Sequence, residues 1–252
     1  MPWLDRHGVR IRYDVTRGGA RTPLLLSHGY GASRAMWEPN LAALGAGRAV
    51  ITWDMRGHGD SDCPDDQAAY SHEASVADMA AILDACDVDT AMVGGLSLGG
   101  YMSLAFYRKH PKRVQCLLLF DTGPGFKNDE SRRRWNEQAE ATAARYERQG
   151  LSALSSSPEV SRGRHDPQGL ARAARGMLAQ RDGSVIASLR DVAVPTLVLV
   201  GADDTGFLAA ADYMAATIAD AEKVVLPGAG HAANIDQPEA FNAAVTSFLN
   251  RH

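Results

Sequence analysis

Short apolar runs rich in Val, Ile and Leu recur along the chain, and most are separated by longer segments with apolar residues at helical spacing. The short runs predict strands at residues 9–15, 24–27, 49–53, 90–93, 114–120, 196–200 and 223–226. The longer segments predict helices, notably at residues 75–86, 98–110, 208–218 and 238–249. Strands that alternate with helices predict an α/β fold, in which helices cover both faces of a mainly parallel sheet.

The first residues of the chain predict an antiparallel addition to this sheet. Residues 1–4 precede the strand at 9–15 across a turn at His7 and Gly8, which suggests a hairpin at the sheet edge. With this strand added to the seven runs above, we expect a sheet of eight strands.

Residues 127–190 interrupt the alternation, because they contain helix signals but no strand-like run. Asn128 or Asp129 can cap a helix that continues to about residue 148 and ends at Gly150. Asp166 followed by Pro167 is a typical helix start. We therefore expect a helical cap, residues 127–190, inserted into a core domain formed by residues 1–126 and 191–252.

The composition and net charge of the chain bear on which classes of molecule it is expected to bind. With 45% hydrophobic and 22% charged residues, the 252-residue chain has the composition of a globular protein. The 26 Lys and Arg against 30 Asp and Glu give a net charge of −4, so nucleic acid is not expected as a partner. The predicted cap is locally positive, with 12 basic and 8 acidic residues. A solvated helical surface is the expected reason, and attraction of anionic substrates is the alternative.

The cysteines, histidines and apolar runs of the chain do not indicate a metal site, disulfide bonds or a membrane-spanning segment. Cys63, Cys86 and Cys116 have no spacing typical of a disulfide framework or a zinc site. His28 and His58 lie in Gly-rich turns without a partner at ligand spacing, so structural roles are expected for both. No apolar run approaches the ~18 residues of a membrane span, and no signal peptide is indicated. We expect a cytoplasmic protein without cofactors; no pattern indicates its oligomeric state.

The sequence Gly-Leu-Ser-Leu-Gly at residues 95–99 follows a predicted strand and opens a predicted helix. A serine in this context, with glycines two residues to either side, is the pattern of a nucleophile elbow, a strained turn that exposes the hydroxyl. The N-terminus of the helix also directs backbone N–H groups to the place where an oxyanion would form. Ser97 is therefore the predicted nucleophile; the alternative is a Gly-rich turn with an incidental serine.

A serine nucleophile needs a base, and the base needs an acid to orient it. His231 ends the sequence Gly-Ala-Gly-His, which follows the last predicted strand, and is the expected base. Asp204 ends Gly-Ala-Asp-Asp, after the strand at 196–200, and is the expected acid, whereas Asp203 is expected to be a turn residue. Asp121, at the end of the strand at 114–120, is a second candidate acid.

Further segments resemble those of the α/β-hydrolase superfamily, whose triad occurs in the chain order Ser, Asp, His. They are Ser-His-Gly-Tyr-Gly at 27–31, Asp-Met-Arg-Gly-His-Gly-Asp-Ser at 54–61 and His-Pro-Lys-Arg-Val at 110–114, and the resemblance covers nearly the whole chain. It implies an oxyanion hole made by the backbone N–H groups of Tyr30 and Leu98.

Large side chains could line an acyl pocket beneath the predicted cap, although ordinary core packing is the alternative for each of them. The candidates for this pocket are Trp37, Tyr101, Phe126, Trp135, Met177 and Phe207. No pattern in the sequence shows how the cap helices dock, so acyl and alcohol specificity stay open.

The resemblance implies hydrolysis of a small carboxylic ester through an acyl-enzyme intermediate. The same triad also serves enol-lactone opening and carbon–carbon bond hydrolysis in the superfamily, and residues 53–61 and 95–100 are similar to those of 3-oxoadipate enol-lactonases. Dehalogenases and epoxide hydrolases are excluded, because they need a carboxylate nucleophile where this chain has Ser97. A ligand-binding signalling receptor of the same fold is the alternative from another class.

Overall fold

A single sheet of eight strands lies within residues 2–252, the part of the chain that the computed structural model describes. The strands are β1 (Trp3–Arg6), β2 (Val9–Val15), β3 (Arg21–Ser27), β4 (Arg48–Trp53), β5 (Ala91–Leu96), β6 (Val114–Phe120), β7 (Thr196–Gly201) and β8 (Ala221–Leu226). Their order is β1-β2-β4-β3-β5-β6-β7-β8. Strand β2 runs antiparallel to both of its neighbours, and the other pairs are parallel. The predicted α/β class and eight-stranded sheet are confirmed; Met1, part of the predicted first run, lies outside the described residues.

Helices follow most of the parallel strands. They are α1 (Leu41–Leu44), α2 (His72–Ala85), α3 (Leu98–Lys109), α4 (Asp129–Gln149), α5 (Pro167–Ala173), α6 (Ser184–Ala187), α7 (Leu208–Thr217), α8 (Ala233–Asp236) and α9 (Pro238–Arg251). Short 3-10 helices occur at Arg34–Trp37, Gln67–Ala69, Pro111–Arg113, Gly150–Ala153 and Ser188–Asp191, and a π-helical turn at Ala174–Leu178. Helices cover both faces of the sheet, and a separate hydrophobic core lies on each face.

Neighbouring side chains of the central strands face these two cores alternately. In β3, Leu25 packs in the core that includes α2, α3 and α7, whereas Leu24 and Leu26 pack in the core that includes α1 and α9. Successive side chains of a strand point to opposite faces, so a strand covered on both sides must be apolar at every position. This is why the central strands are visible in the sequence as continuous apolar runs.

The segment between β6 and β7 is built from helices, as the sequence predicts. Asn128 caps α4 by accepting the backbone N–H of Ser131 at 2.7 Å, and Asp166 caps α5 by accepting the N–H of Gly169 at 2.6 Å. Helices α4 and α5 share a small apolar cluster of their own, which includes Tyr146. The division of the chain into a core domain and a separate cap stays a prediction.

Buried polar groups hold the loop after β3 against the loop after β4. His28 accepts the backbone N–H of Met55 at Nε2 (2.9 Å) and donates from Nδ1 to the carbonyl of Gly29 (2.7 Å). Burial lowers the pKa of His28 to about 4, so its imidazole is neutral. Asp54 is also fully buried and accepts the backbone N–H and the guanidinium of Arg34. These bonds fix the loop that runs past Ser97.

The described chain contains neither a membrane-spanning helix nor a cluster of metal ligands. No helix within residues 2–252 is long and apolar enough to cross a membrane. Over the same residues, no group of three His, Cys, Asp or Glu side chains is arranged to hold a metal ion.

Candidate active site

Ser97 lies in the turn that joins β5 to α3 and has a left-handed backbone conformation, with φ at 55°. Its N–H donates to the carbonyl of Phe120 at 2.9 Å. Its own carbonyl accepts the hydroxyl of Thr122 at 2.6 Å and the N–H of Tyr101 at 3.1 Å. Such a conformation costs a non-glycine residue on the order of 1–3 kcal/mol, and it persists only where surrounding contacts enforce it. These contacts hold the serine at the tip of the turn.

A glycine allows α3 to begin very close to β3. A Cβ at Gly99 would lie 2.2 Å from the carbonyl oxygen of Ser27, so any side chain there would push the helix away from the sheet. In the loop after β3, a Cβ at Gly29 would lie 3.5 Å from the Cβ of Ser97. The backbone just before Tyr30 therefore passes directly beside the serine side chain.

The two residues expected to form an oxyanion hole lie around Ser97. Leu98 is the first residue of α3, and N–H groups in the first turn of a helix have no acceptor within that helix. The phenol of Tyr30 points elsewhere, because it donates to the carbonyl of Leu170 at 2.7 Å. Only the backbone of Tyr30 is then left to act at Ser97.

Asp204 and His231 are paired at the carboxyl ends of β7 and β8. His231 Nδ1 lies 2.8 Å from Asp204 Oδ2, and the two side chains are 35% and 11% exposed. Phe207 stacks on the imidazole, with ring centres 5.1 Å apart. Burial alone would lower the pKa of His231, but the hydrogen bond and charge of Asp204, with the charge of Asp121, raise it above its ordinary value. The pair is thus arranged to stabilise an imidazolium.

The two loops that carry this pair touch through their backbones. The N–H of Asp203 donates to the carbonyl of Ala229 at 2.9 Å, while the side chain of Asp203 is exposed. A Cβ at Gly201 would lie 2.3 Å from the same carbonyl oxygen. Only glycine at this position lets the loop after β7 approach the loop that carries His231.

Asp121, the second candidate acid, lies beside the pair without bonding to the imidazole. One carboxyl oxygen accepts the N–H of Gly201 at 2.7 Å, and the other is buried near the backbone N–H of Ala233. Burial raises the pKa of Asp121 to about 7, and the charge of Asp204 adds to the rise, whereas the bond from Gly201 and the charge of His231 oppose it. Asp121 is therefore a carboxyl group that titrates near neutral pH next to the His231–Asp204 pair.

Changing Asp121 to asparagine is expected to move the acidic limb of the pH profile of kcat/KM to lower pH. A base acts only when unprotonated, so activity falls as pH drops through the pKa of His231. The charge of Asp121 raises that pKa, and its removal lowers it. The expected shift is less than about one pH unit, because Asp121 is itself partly protonated in this range. The measurement is kcat/KM for an aryl ester over about pH 5 to 9.

The exposed neighbour Asp203 provides the matched control for this experiment. Asp203→Asn removes the same charge from the neighbouring loop, after β7, and is expected to leave the acidic limb in place. An acidic limb that stays fixed or moves to higher pH in Asp121→Asn contradicts the coupling between Asp121 and His231.

A cavity of about 250 Å³ opens at Ser97. It is lined by Ser97, Leu98, Tyr101, Thr122, Gly123, Gly125, Phe126, Trp135, Met177, Leu178, Gln180, Gly206, Phe207 and Ala210. Five of the six expected pocket residues are among them. None of these described lining residues is an acid, a base or a histidine, so the wall of the cavity is uncharged.

Trp37 was expected in the pocket, and the structure corrects this. The indole is fully buried and packs against Phe120, at 6.0 Å between ring centres, and against Phe241, at 6.4 Å. It belongs to the core that includes α9, because the 3-10 helix at Arg34–Trp37 turns this side chain toward that core. A large aromatic residue after a strand gives no sign of which way a short helix will turn it.

Sequence reasoning missed Thr122, Leu178, Gln180 and Ala210 as cavity residues. Thr122 had a usable signal, since residues just after a parallel strand lie at the edge where ligands bind in α/β folds. No sequence signal marked Gln180, because its place at the cavity depends on how the segment between β6 and β7 packs over the sheet edge. Its backbone is tied to α4 by two hydrogen bonds with Asn136.

Basic residues of the segment 127–190 pair with acids on its surface. Arg175 binds Glu140 and Glu147, and Arg133 and Arg134 both bind Glu130. Exposed pairs of this kind contribute little stability, but they partly neutralise the local positive charge. They accord with a solvated surface more than with a site for an anionic substrate.

Comparison with known proteins agrees with this architecture. Residues 24–244 match the model of the alpha/beta hydrolase family, and the chain belongs to that family. It is 28% identical to a putative 2-succinyl-6-hydroxy-2,4-cyclohexadiene-1-carboxylate synthase of Bacillus subtilis (strain 168), over 95% of both chains. It is 27% identical to 3-oxoadipate enol-lactonase 1 of Acinetobacter baylyi, over 97% of this chain and 95% of that one.

Among solved structures, a thermophilic esterase from Thermogutta terrifontis superposes with a TM-score of 0.84 and 30% identity, over 99% of this chain and 96% of that one. The superfamily resemblance seen in the sequence is therefore confirmed. The protein is a hydrolase of this family.

Proposed function

We propose that the protein hydrolyses small, neutral carboxylic esters through an acyl-enzyme formed on Ser97. The observation that carries the proposal is the 2.8 Å bond between His231 and Asp204, at the sheet edge where Ser97 faces the cavity. A serine at a strained turn, a histidine and a carboxylate behind it are the groups that acyl transfer requires. The likeness to the thermophilic esterase supports the same chemistry.

In the first half of the reaction, His231 Nε2 takes the proton of Ser97 while the serine oxygen attacks the ester carbonyl. The N–H groups of Leu98 and Tyr30 hold the oxyanion, and Asp204 stabilises the imidazolium. The carbon–oxygen bond to the alcohol then breaks, and the alcohol leaves with the proton from His231. In the second half, water gives a proton to His231 and attacks the acyl carbon. The bond to the serine oxygen then breaks, His231 returns the proton to that oxygen, and the carboxylic acid and free Ser97 are released.

The uncharged wall of the cavity favours a neutral ester over an anionic lactone. Bringing a carboxylate into an apolar cavity without a cationic partner costs several kcal/mol or more. The relatives named as an enol-lactonase and a cyclohexadiene-carboxylate synthase make lactone or carbon–carbon substrates the second proposal. The volume of about 250 Å³ suits a short chain or a single ring as the bound group.

A substrate panel tests the proposal. It contains 4-nitrophenyl esters of increasing acyl length, neutral and carboxylated lactones, and a ring-fission dienone. We expect turnover of a short aryl ester at about 1 s⁻¹ or faster. A fluorophosphonate is expected to label Ser97 once per chain, as located by mass spectrometry of the peptides.

Three outcomes contradict ester hydrolysis at Ser97. A single slow release of product per protein molecule indicates a ligand-binding receptor. Faster turnover of the dienone or of a carboxylated lactone than of any ester indicates the second proposal. Labelling at a residue other than Ser97 removes the assignment of the nucleophile.

A further inference from the structure

The wall of the cavity at Ser97 includes a side-chain amide whose oxygen is covered by the protein and has no partner among the described residues. Gln180 lines the cavity, is only 7% exposed, and has a buried Oε1 without a hydrogen-bond partner among the described residues. Two other polar groups of the wall are already engaged, because Thr122 donates to the carbonyl of Ser97 and the indole N–H of Trp135 donates to the carbonyl of Leu178. A buried polar group without a partner is rare and costly in folded proteins.

The structure holds Gln180 firmly in this position. Its N–H donates to Asn136 Oδ1 at 2.7 Å, and its carbonyl accepts Asn136 Nδ2 at 2.8 Å. Its amide lies against bare backbone at Gly125, where a Cβ would come 2.7 Å from Oε1 and where φ is 93°. A glycine at 125 therefore provides the space that the amide occupies, and the amide belongs to the wall of the cavity.

We propose that Gln180 is a specificity-determining residue, which recognises a neutral hydrogen-bonding group, such as a hydroxyl, on the part of the ester that fills the cavity. The inference rests on the proposed ester hydrolysis at Ser97. A carboxamide presents both a donor and an acceptor, and rotation about its last bond exchanges them, so a hydroxyl satisfies it in either orientation.

The remaining wall restricts the scaffold that carries this hydroxyl. Phe126, Trp135 and Phe207 place aromatic rings on the cavity, which suits a ring or a short apolar chain. A carboxylate finds no cation among the described lining residues. The substrate class is therefore a neutral ester with a compact, hydroxylated aromatic or aliphatic group.

Matched esters test this assignment. One series is 4-nitrophenyl phenylacetate with its 3-hydroxy, 4-hydroxy and 4-carboxy derivatives, which vary the acyl side. The other is benzyl acetate with the same three substituents, which varies the alcohol side. We expect one hydroxylated ester to exceed its parent in kcat/KM by about tenfold, and the carboxylated esters to be the poorest.

Variants at position 180 connect that preference to the amide. In Gln180→Met, which has a similar shape but no hydrogen-bonding group, the ratio between the hydroxylated ester and its parent is expected to fall to about one. Gln180→Leu is expected to show the same loss of preference. If one of the two variants folds poorly, the other still tests the assignment. Gln138→Met, on the exposed side of α4, makes the same chemical change outside the cavity and is expected to keep the wild-type ratio.

The outcomes separate this inference from the proposed function. If the wild type hydrolyses no ester, both fail. If the parent ester is hydrolysed at Ser97 but no hydroxyl improves kcat/KM in either series, only the role of Gln180 fails. A wild-type ratio retained in both Gln180 variants, or a preference for a carboxylated ester, also overturns it.

Discussion

Replacing Ser97 with alanine is expected to lower kcat for the best ester by roughly 10⁶-fold, because the acyl-enzyme can no longer form. The N–H groups of Leu98 and Tyr30, which we propose as the oxyanion hole, are expected to sustain a small residual rate over water. Alanine keeps the backbone bonds to Phe120 and Thr122, so the melting temperature is expected to change by only a few degrees at most. The measurements are initial rates in stopped assays and thermal unfolding of both proteins.

Ser156 supplies the matched control for this change, because it is an exposed serine in the segment between β6 and β7. Ser156→Ala is expected to keep the wild-type kcat. A Ser97→Ala protein that retains more than about one hundredth of wild-type kcat, after contaminating esterases are excluded, contradicts a serine nucleophile at this position.

Changing Asp204 to asparagine is expected to lower kcat by about 10⁴-fold while the fold is retained. The Asp204 carboxylate lies at Nδ1 of His231, so we expect it to hold the ring proton there and to leave Nε2 free to act as the base. Asparagine can donate to Nδ1 instead, and the imidazole then presents the wrong tautomer to Ser97. The variant also loses the charge that raises the pKa of His231, so its residual activity is expected to extend to lower pH.

Two further proteins sharpen this experiment. Asp203→Asn changes the exposed neighbour and is expected to keep kcat near the wild-type value. In Asp121→Asn combined with Asp204→Asn, kcat is expected to fall further only if Asp121 partly replaces the missing carboxylate. A single Asp204→Asn variant with nearly wild-type kcat refutes Asp204 as the acid and leaves Asp121 as the candidate.

Several elements follow closely from the local sequence. The strand predicted at residues 114–120 is β6 (Val114–Phe120), and the helix predicted at 98–110 is α3 (Leu98–Lys109). Buried parallel strands need continuous apolar runs, and helices need apolar spacing near 3.6 residues, so both leave a local record. The strand predicted at 223–226 begins earlier, at Ala221, because β8 is an edge strand whose first residues are mostly exposed and polar.

The candidate nucleophile, base and acid could be chosen from sequence because each lies just after a predicted strand. The carboxyl ends of parallel strands meet at one edge, so residues far apart in the chain are expected to lie together there. The structure pairs His231 with Asp204 and puts Asp121 beside them. The sequence favoured Asp204 over Asp121, but which carboxylate reaches Nδ1 of His231 depends on the tertiary structure, where Asp204 makes that contact.

Local patterns were sufficient for the order of strands and helices, the sharp turn at Ser97 and the residue types that acyl transfer needs. The walls of the cavity were decided by packing between distant segments. The side chain of Trp37 packs in the core, and Gln180 is held at the cavity by its hydrogen bonds to α4. The sequence around each residue indicates neither position. Periodicity shows which face of an element is buried, but the partner of that face depends on long-range contacts that leave no local record.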